Sequence, residues 1–351
     1  MLPAFPSCSA LKRAAFLLAI VPLTACNSIV MKPFGDIAQQ QSQLIVTAVI
    51  LMLLIVVPVI VLTLLFAWRY RSANKAATYA PEWAHSTRLE LLIWGAPLLI
   101  IIALGAITWI STHKLDPYRP LERIDAKRSI DKGVKPFVVE VVALDWKWLF
   151  VYPELGMATV NELAAPVDRP IEFKITASTV MNSFYIPALA GQIYAMPGMQ
   201  TQVHAVINTA GVYDGFSSNY SGAGFSHMRF KFLGLLPADF DRWVQSNKAS
   251  GNMLSRADYL KLEQPSEREP VHRYANVDAS LYNAILNRCV DSSKMCMNQM
   301  MEIDAAGGLG KGGIDGLSAK PWREVRRNYV AALCTPSNPS GAALVAERLL
   351  P

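Results

Sequence analysis

Residues 44–68 form a run of 25 positions without a charge, and residues 91–110 form a second, of 20. A helix rises about 1.5 Å per residue, so roughly 20 apolar residues cross the ~30 Å hydrocarbon core of a bilayer. Both runs are long enough, and a short polar loop joins them, so a hairpin of two transmembrane helices is expected. Pro58 inside the first run is compatible with a membrane helix, where neighbouring groups satisfy the freed carbonyl. The loop 69–90 carries Arg69, Arg71, Lys75 and Arg88 against Glu82 and Glu90. A basic excess marks the cytoplasmic side, which leaves both outer ends of the hairpin periplasmic. Trp68, Tyr70 and Trp109 stand where interfacial aromatics belong. Composition agrees: 351 residues that are 52% hydrophobic and 17% charged are too apolar for a wholly water-soluble chain. The net charge of +6 is modest and its basic residues are scattered, so a nucleic-acid surface is not indicated.

From Pro136 the periodicity changes to two. Residues 171–176, IEFKIT, and 228–232, MRFKF, alternate apolar with polar, and residues 137–150 form a longer apolar run containing Asp145-Trp146-Lys147-Trp148. Short runs of this kind, punctuated by Pro153 and by Val167-Asp168-Arg169-Pro170, predict a β-sandwich or barrel. After Pro237 the pattern turns helical. Residues 239–244 and 278–290 carry apolar residues at helical spacing, Leu281 and Ile285 among them, behind Asp239 and Asp278 as expected caps.

The stretch 179–230 carries two ordered patterns. The first is Val180-Met181-Asn182-Ser183-Phe184-Tyr185-Ile186-Pro187-Ala188-Leu189. The second sets Gly211, Tyr213, Gly215, Ser217, Ser218, Asn219, Ser221, Gly222, Phe225, Ser226 and Met228 at fixed offsets. Together they resemble the copper-binding face of subunit II of haem–copper cytochrome c oxidases, V-x-H-S-F-x-I-P-x-L and G-x-Y-x-G-x-C-S-E-x-C-G-x-x-H-S-x-M. On that alignment Asn182 stands for the first His, Ser217 and Ser221 for the two Cys, Asn219 for the Glu and Phe225 for the second His, while Met228 is retained. A dicopper centre needs bridging thiolates and imidazoles. Hydroxyls with pKa values far above neutral cannot replace thiolates, and Phe225 has no lone pair. A kept frame with its strong ligands replaced resembles subunit II of the cytochrome bo-type ubiquinol oxidases.

That resemblance covers about residues 24–304. It implies a two-helix transmembrane hairpin followed by a mostly β, cupredoxin-like sandwich and a short helical C-terminal extension. The expected divisions are a lipoprotein signal peptide (1–25), a periplasmic segment (26–43) and helices at 44–68 and 91–110 around a cytoplasmic loop (69–90). A sandwich (125–236), a helical extension (237–304) and a Gly-rich flexible tail (305–351) follow. It further implies a subunit of a terminal ubiquinol oxidase that itself carries no catalytic residue, metal or cofactor, with haems and copper in subunit I. Partners would be subunit I, other small membrane subunits and membrane lipid, with ubiquinol as substrate of the complex and no nucleic acid. The location would be the bacterial inner membrane, multi-pass, with the large domain periplasmic. The alternative weighed against it is a free-standing membrane lipoprotein that uses a cupredoxin-like domain as a binding module. Two membrane helices disfavour that reading, since a lipid anchor would tether such a module.

Three smaller features complete the reading. Lys12 and Arg13, the apolar run 14–23 and Leu23-Thr24-Ala25-Cys26 resemble a secretory signal ending in a bacterial lipobox, which makes Cys26 the expected lipidation site. His85-Ser86-Thr87-Arg88-Leu89-Glu90 with Trp94 and Pro97 resembles the start of the second membrane helix in oxidase subunit II, which makes Glu90 a candidate mouth of a proton pathway. A carboxylate satisfied by the helix dipole is the other reading. Trp146 and Trp148 resemble the family's W-x-W pair and are expected as packing aromatics.

Beyond the first two of the five cysteines, Cys289, Cys296 and Cys334 leave one disulfide with its pairing open. The five histidines, at 85, 113, 204, 227 and 272, have no ligand spacing. Residues 307–316, GGLGKGGIDG, lack the ending of a phosphate loop and read as a linker. Met295, Met297, Met300 and Met301 are soft donors, with adaptable packing the favoured reading.

Overall fold

The computed structural model describes residues 28–305 apart from 79, 81 and 132. The expected signal peptide with Cys26, the residues from 306 on and Cys334 lie outside the described residues. Two compact units are present: one extends to Arg119 and includes Pro187–Ala190, and the other holds Pro120–Ile186 and the chain from Gly191.

The first unit is the hairpin. Helix α1 spans Asp36–Arg69 and helix α2 spans Thr87–Lys114, each longer than its uncharged run. The extra turns are polar, and the dipole explains why they stay helical. Asp36 lies in the first turn of α1 and accepts from Gln40 Nε2 at 2.8 Å, while His113 and Lys114 lie in the last turn of α2. At the loop end of α1, Asn74 Nδ2 donates to the Arg69 carbonyl at 2.6 Å, satisfying one of the terminal acceptors a helix leaves open. Pro58 and Pro97 sit inside the helices. Along both spans large apolar side chains are exposed, Leu64, Leu91, Leu92 and Trp94 among them. In water that surface would be unstable; against lipid or a membrane partner it is ordinary.

The second unit is a sandwich. Strands β1 (Phe137–Leu144), β2 (Lys147–Tyr152), β3 (Met157–Val160), β4 (Glu162–Pro166), β5 (Ile171–Ala177), β6 (Asn182–Tyr185), β7 (Ile193–Ala195), β8 (Thr201–Ala205), β9 (Gly211–Ser217) and β10 (Arg229–Leu235) make up its body. One sheet has the order β3-β2-β1-β5-β8 and the other β4-β10-β9-β6-β7. The pairs β1–β5 and β4–β10 are parallel and the remainder antiparallel. The alternating strands bury what the period predicts: Ile171, Phe173 and Ile175 on β5, and Phe230 and Phe232 on β10. Between the sheets Phe184 and Phe230 stack at 5.5 Å, with Trp148 5.4 Å and 5.7 Å from them and edge-on. Each such fully buried side chain contributes about 1.5–3 kcal/mol.

The chain after β10 explains why β1 and β2 read as a longer apolar run than the alternating strands. Helices α3 (Pro237–Lys248), α4 (Arg256–Leu262), α5 (Leu281–Leu286) and α6 (Met297–Ala305) are interleaved with short strands β11 (Met253–Leu254), β12 (His272–Tyr274) and β13 (Asn276–Val277). Leu254, Tyr259, Leu281 and Ile285 close over Val142, Leu144, Leu149 and Val151, so those strands are buried on both faces, as in any covered sheet. The helical expectation for 237–304 is therefore incomplete. Strand β12 pairs antiparallel with β3 and becomes the sixth strand of that sheet, and β11 pairs parallel with β13.

The expected caps also shift. Helix α3 opens with Leu236 as N-cap and Pro237 at its first position, and α5 has Ser280 before it. Pro237 sets the start because its fixed φ suits the first turn and its missing N–H costs nothing there. Asp278 instead accepts from the Ser280 amide at 2.9 Å. Cys289 pairs with Cys296, Cα to Cα 4.8 Å, which resolves the open pairing.

Candidate functional site

The positions aligned with copper ligands come together at one end of the sandwich, where β6 begins, β9 ends and the loop 218–228 returns to β10. Two close approaches require glycine in this frame. A side chain on Gly215 would meet the Phe230 ring at 2.1 Å, and one on Gly224 would meet Trp146 Cδ2 at 2.4 Å. The Trp146 indole covers the loop and its Nε1 donates to the Ser221 carbonyl at 3.0 Å. To reach there Trp146 takes φ 64° in the β1–β2 turn, a region that bulky residues seldom occupy. Of the two expected packing tryptophans, only Trp148 is core; Trp146 is half-buried and packs on the loop.

Inside this frame the chemistry is neutral. Ser217 Oγ donates to Asn182 Oδ1 at 3.1 Å or to the Asn219 carbonyl at 3.2 Å, and accepts from the Ser183 amide at 3.4 Å. Asn182 Nδ2 donates to the Val180 carbonyl at 3.2 Å, and Asn219 Nδ2 to that of Met181 at 3.1 Å. Asn182, Ser217 and Met228 are buried. Ser221 Oγ faces Met228 Sδ at 3.9 Å, and the Phe225 ring packs edge-on against Tyr220 at 5.6 Å. Hydroxyls and carboxamides here use their capacity on one another, so the buried polar groups are satisfied without a ligand. Met228 offers one thioether; no thiolate or imidazole joins it. This donor set does not fit a dicopper centre. Among the described residues no three His, Cys, Asp or Glu side chains cluster as a metal site would require.

Glu90 lies in the first turn of α2, 2.6 Å from His85 Nδ1, with both side chains about half exposed. It belongs to the hairpin unit, apart from the sandwich positions. The methionines divide: Met295, Met297 and Met300 line a shared cavity, whereas Met301 is exposed.

One chain of polar residues was not anticipated. Lys147, 1% exposed on β2, donates to the Gln264 carbonyl at 2.7 Å and to Ser266 Oγ at 2.6 Å. Ser266 donates to Glu269, whose other oxygen meets His272 Nε2 at 2.8 Å. Burial pulls the Lys147 ammonium below its usual range, and the Ser266 hydroxyl holds the Glu269 carboxyl below its own. The available signal was a lysine inside an apolar strand, a position that has to be paired. This chain ties the C-terminal extension to the sheet.

Against known families, residues 138–232 match cytochrome c oxidase subunit II, periplasmic domain, and residues 248–293 match the COX aromatic-rich motif. A curated relative, cytochrome bo(3) ubiquinol oxidase subunit 2 of Pseudomonas putida, is 49% identical over 77% of this chain and 83% of its own length. The protein of that name from Pseudomonas aeruginosa is 48% identical over 76% and 78%. Among solved structures, the periplasmic domain of subunit II of cytochrome oxidase from Bradyrhizobium japonicum aligns over 32% of this chain and 94% of its own, at 22% identity and TM-score 0.32.

Proposed function

Because this chain belongs to the ubiquinol oxidase subunit II family and is thus a subunit of a terminal quinol oxidase, we propose that it braces and caps the haem-bearing large subunit. In this reading it carries no electrons. The observation that carries it is the donor set at the end of the sandwich: Asn182, Ser217 and Asn219 bond to one another and to backbone, and only Met228 offers sulfur. An electron-relaying subunit II needs thiolate and imidazole there.

The complex would oxidise ubiquinol and reduce oxygen to water with proton translocation, its haems and copper lying in subunit I. The two apolar helices would pack on subunit I and the other membrane subunits, in the inner membrane, with the sandwich on the periplasmic side. Glu90 would stand at the cytoplasmic mouth of a proton pathway into subunit I, and lipidation at Cys26 would add a second attachment. A free-standing lipoprotein module is disfavoured by the 49% identity to an oxidase subunit.

Co-purification is the direct test. An affinity-tagged chain, extracted in mild detergent, should bring down a large haem-containing subunit and quinol-dependent oxygen uptake. Recovery of the tagged chain alone, free of haem in cells that express the oxidase, would refute the assignment.

A further inference from the structure

At the loop end of the hairpin four basic side chains gather. Arg69 closes α1, Arg71 and Lys75 follow in the loop, and Arg88 lies in the first turn of α2. All four are exposed, and none makes an ion pair with a described residue. Of the two carboxylates nearby, Glu90 is engaged by His85 at 2.6 Å, which leaves Glu82 against four cations. From this patch we propose a binding surface for the headgroup of an anionic phospholipid, in the leaflet that the loop faces.

The aromatic residues interleaved with the cations fix the depth, and so the occupant. Arg71 Cζ lies 5.5 Å from the centre of the Trp68 ring, and Arg69 Cζ 6.0 Å from that of Tyr70. Trp68, Tyr70 and Trp83 are themselves exposed. Bare indole and phenol rings are costly in water, whereas at the headgroup level of a bilayer their apolar faces and polar tips are both served. Guanidinium groups resting on those rings therefore stand at the height of lipid phosphates. The backbone keeps them there. Asn74 folds the chain back on the end of α1, its amide donating to the Arg71 carbonyl at 2.9 Å and its Nδ2 to that of Arg69 at 2.6 Å.

Charge decides between headgroups. A zwitterionic headgroup brings its own ammonium and gains little from a cationic patch. An anionic one gains about fivefold in occupancy for each Lys or Arg close to the surface, and the planar fork of Arg takes two phosphate oxygens at once. Soluble phosphate offers the same oxygens but no acyl chain for the exposed Leu65, Phe66, Leu89 and Leu92 beside the cations. The lipid uses both. Such a surface requires that the two helices lie in a membrane, and it is independent of the oxidase assignment.

The test uses the full-length chain reconstituted into phosphatidylcholine vesicles. These carry a trace of spin-labelled phosphatidylglycerol or, in a parallel sample, of spin-labelled phosphatidylcholine. Flotation reports insertion, and the motionally restricted fraction of each label in electron spin resonance reports contact with the protein. At low salt phosphatidylglycerol should be restricted severalfold more strongly. In 1 M salt, where the screening length is about 3 Å, most of that preference should vanish. Arg69→Gln, Arg71→Gln, Lys75→Gln and Arg88→Gln together should bring the two lipids level, while Lys at the three arginine positions should keep most of the preference. Lys32→Gln with Lys114→Gln, at the opposite end of the hairpin, should retain it. Should the combined Gln variant fail to float, the pairs Arg69→Gln with Arg71→Gln and Lys75→Gln with Arg88→Gln decide, each expected to lower the ratio. Equal restriction of both labels by the inserted parent chain, or an unchanged ratio in the inserted Gln variants, would overturn the surface. So would a preference lost only with Lys32 and Lys114. A parent chain that does not float would overturn the membrane reading and the surface with it.

Discussion

Glu140 shows how one half-buried carboxyl sets a pH response. It sits on β1 opposite Lys174 of β5, and burial pushes it from 4.5 up to about 7, with Lys174 pulling weakly the other way. Below pH 4.5 the group is protonated in both folded and unfolded chains. Between pH 4.5 and 7 only the folded chain keeps the proton, so stability falls as pH rises through that window and stays lower above it. The full linkage would be about 3 kcal/mol, and partial exposure reduces it to about 1–2 kcal/mol. Glu140→Gln should therefore leave stability unchanged at pH 4 and raise it by about 1–2 kcal/mol at pH 8, read by thermal unfolding of the detergent-solubilised chain. An unchanged pH slope would mean that Glu140 titrates normally. Glu90 is a different case, exposed and 2.6 Å from His85. If it feeds a proton pathway, Glu90→Gln should slow oxygen reduction severalfold at unchanged assembly and haem content, and Glu90→Asp should be milder. Full turnover in the Gln variant would leave only the helix-dipole role.

At the scale of elements, period-two alternation located β5 and β10, and the longer apolar run 137–150 marked β1 and β2, which the C-terminal extension covers. What covered them was not legible. Strand β12 is three residues long and sits at a sheet edge, too short for a periodic signal. The Asp caps misled because Asp serves turns as readily as helix starts. The site was legible as an ordered frame that includes Gly215, where the Phe230 ring leaves no room for a side chain; the like demand at Gly224 was not read. The bracing of that frame by Trp146 was hidden, because a positive φ leaves no mark in sequence. This bears on installing the copper chemistry of cytochrome c oxidase subunit II in this frame. Asn182→His, Ser217→Cys, Asn219→Glu, Ser221→Cys and Phe225→His, with Met228 in place, should restore a coloured copper centre. Occupancy should be incomplete, because the groups that aim ligands must fit as well as the ligands. Bound copper approaching, but short of, two per chain by elemental analysis, with strong visible absorption absent from the parent chain, is the expected result. A folded variant showing neither would mean that the five positions are misaligned.

For the whole molecule the governing quantity is which way the hairpin would thread the bilayer, because two crossings would put the sandwich on one side and Glu90 on the other. Two helices of 34 and 28 residues each exceed the roughly 20 residues needed to cross. Arg69, Arg71, Lys75 and Arg88 lie in or beside the connecting loop, and short basic loops stay cytoplasmic. Attachment does not then depend on Cys26. An acyl chain binds membranes only marginally, whereas two spanning helices insert in effect irreversibly. Cys26→Ser should abolish acylation, seen by mass spectrometry of the mature N-terminus, and leave the chain in the membrane fraction after a high-salt wash. Release of the variant into the soluble fraction would mean that the helices do not span. Orientation follows from fusions. A reporter active only in the cytoplasm should work when inserted in the loop between α1 and α2, and one active only in the periplasm should work after Pro351. Because the two insertion sites flank one helix, α2, the results are coupled. A cytoplasmic signal from the C-terminal fusion would reverse the hairpin, move the sandwich to the cytoplasm and remove Glu90 from the side on which protons are taken up.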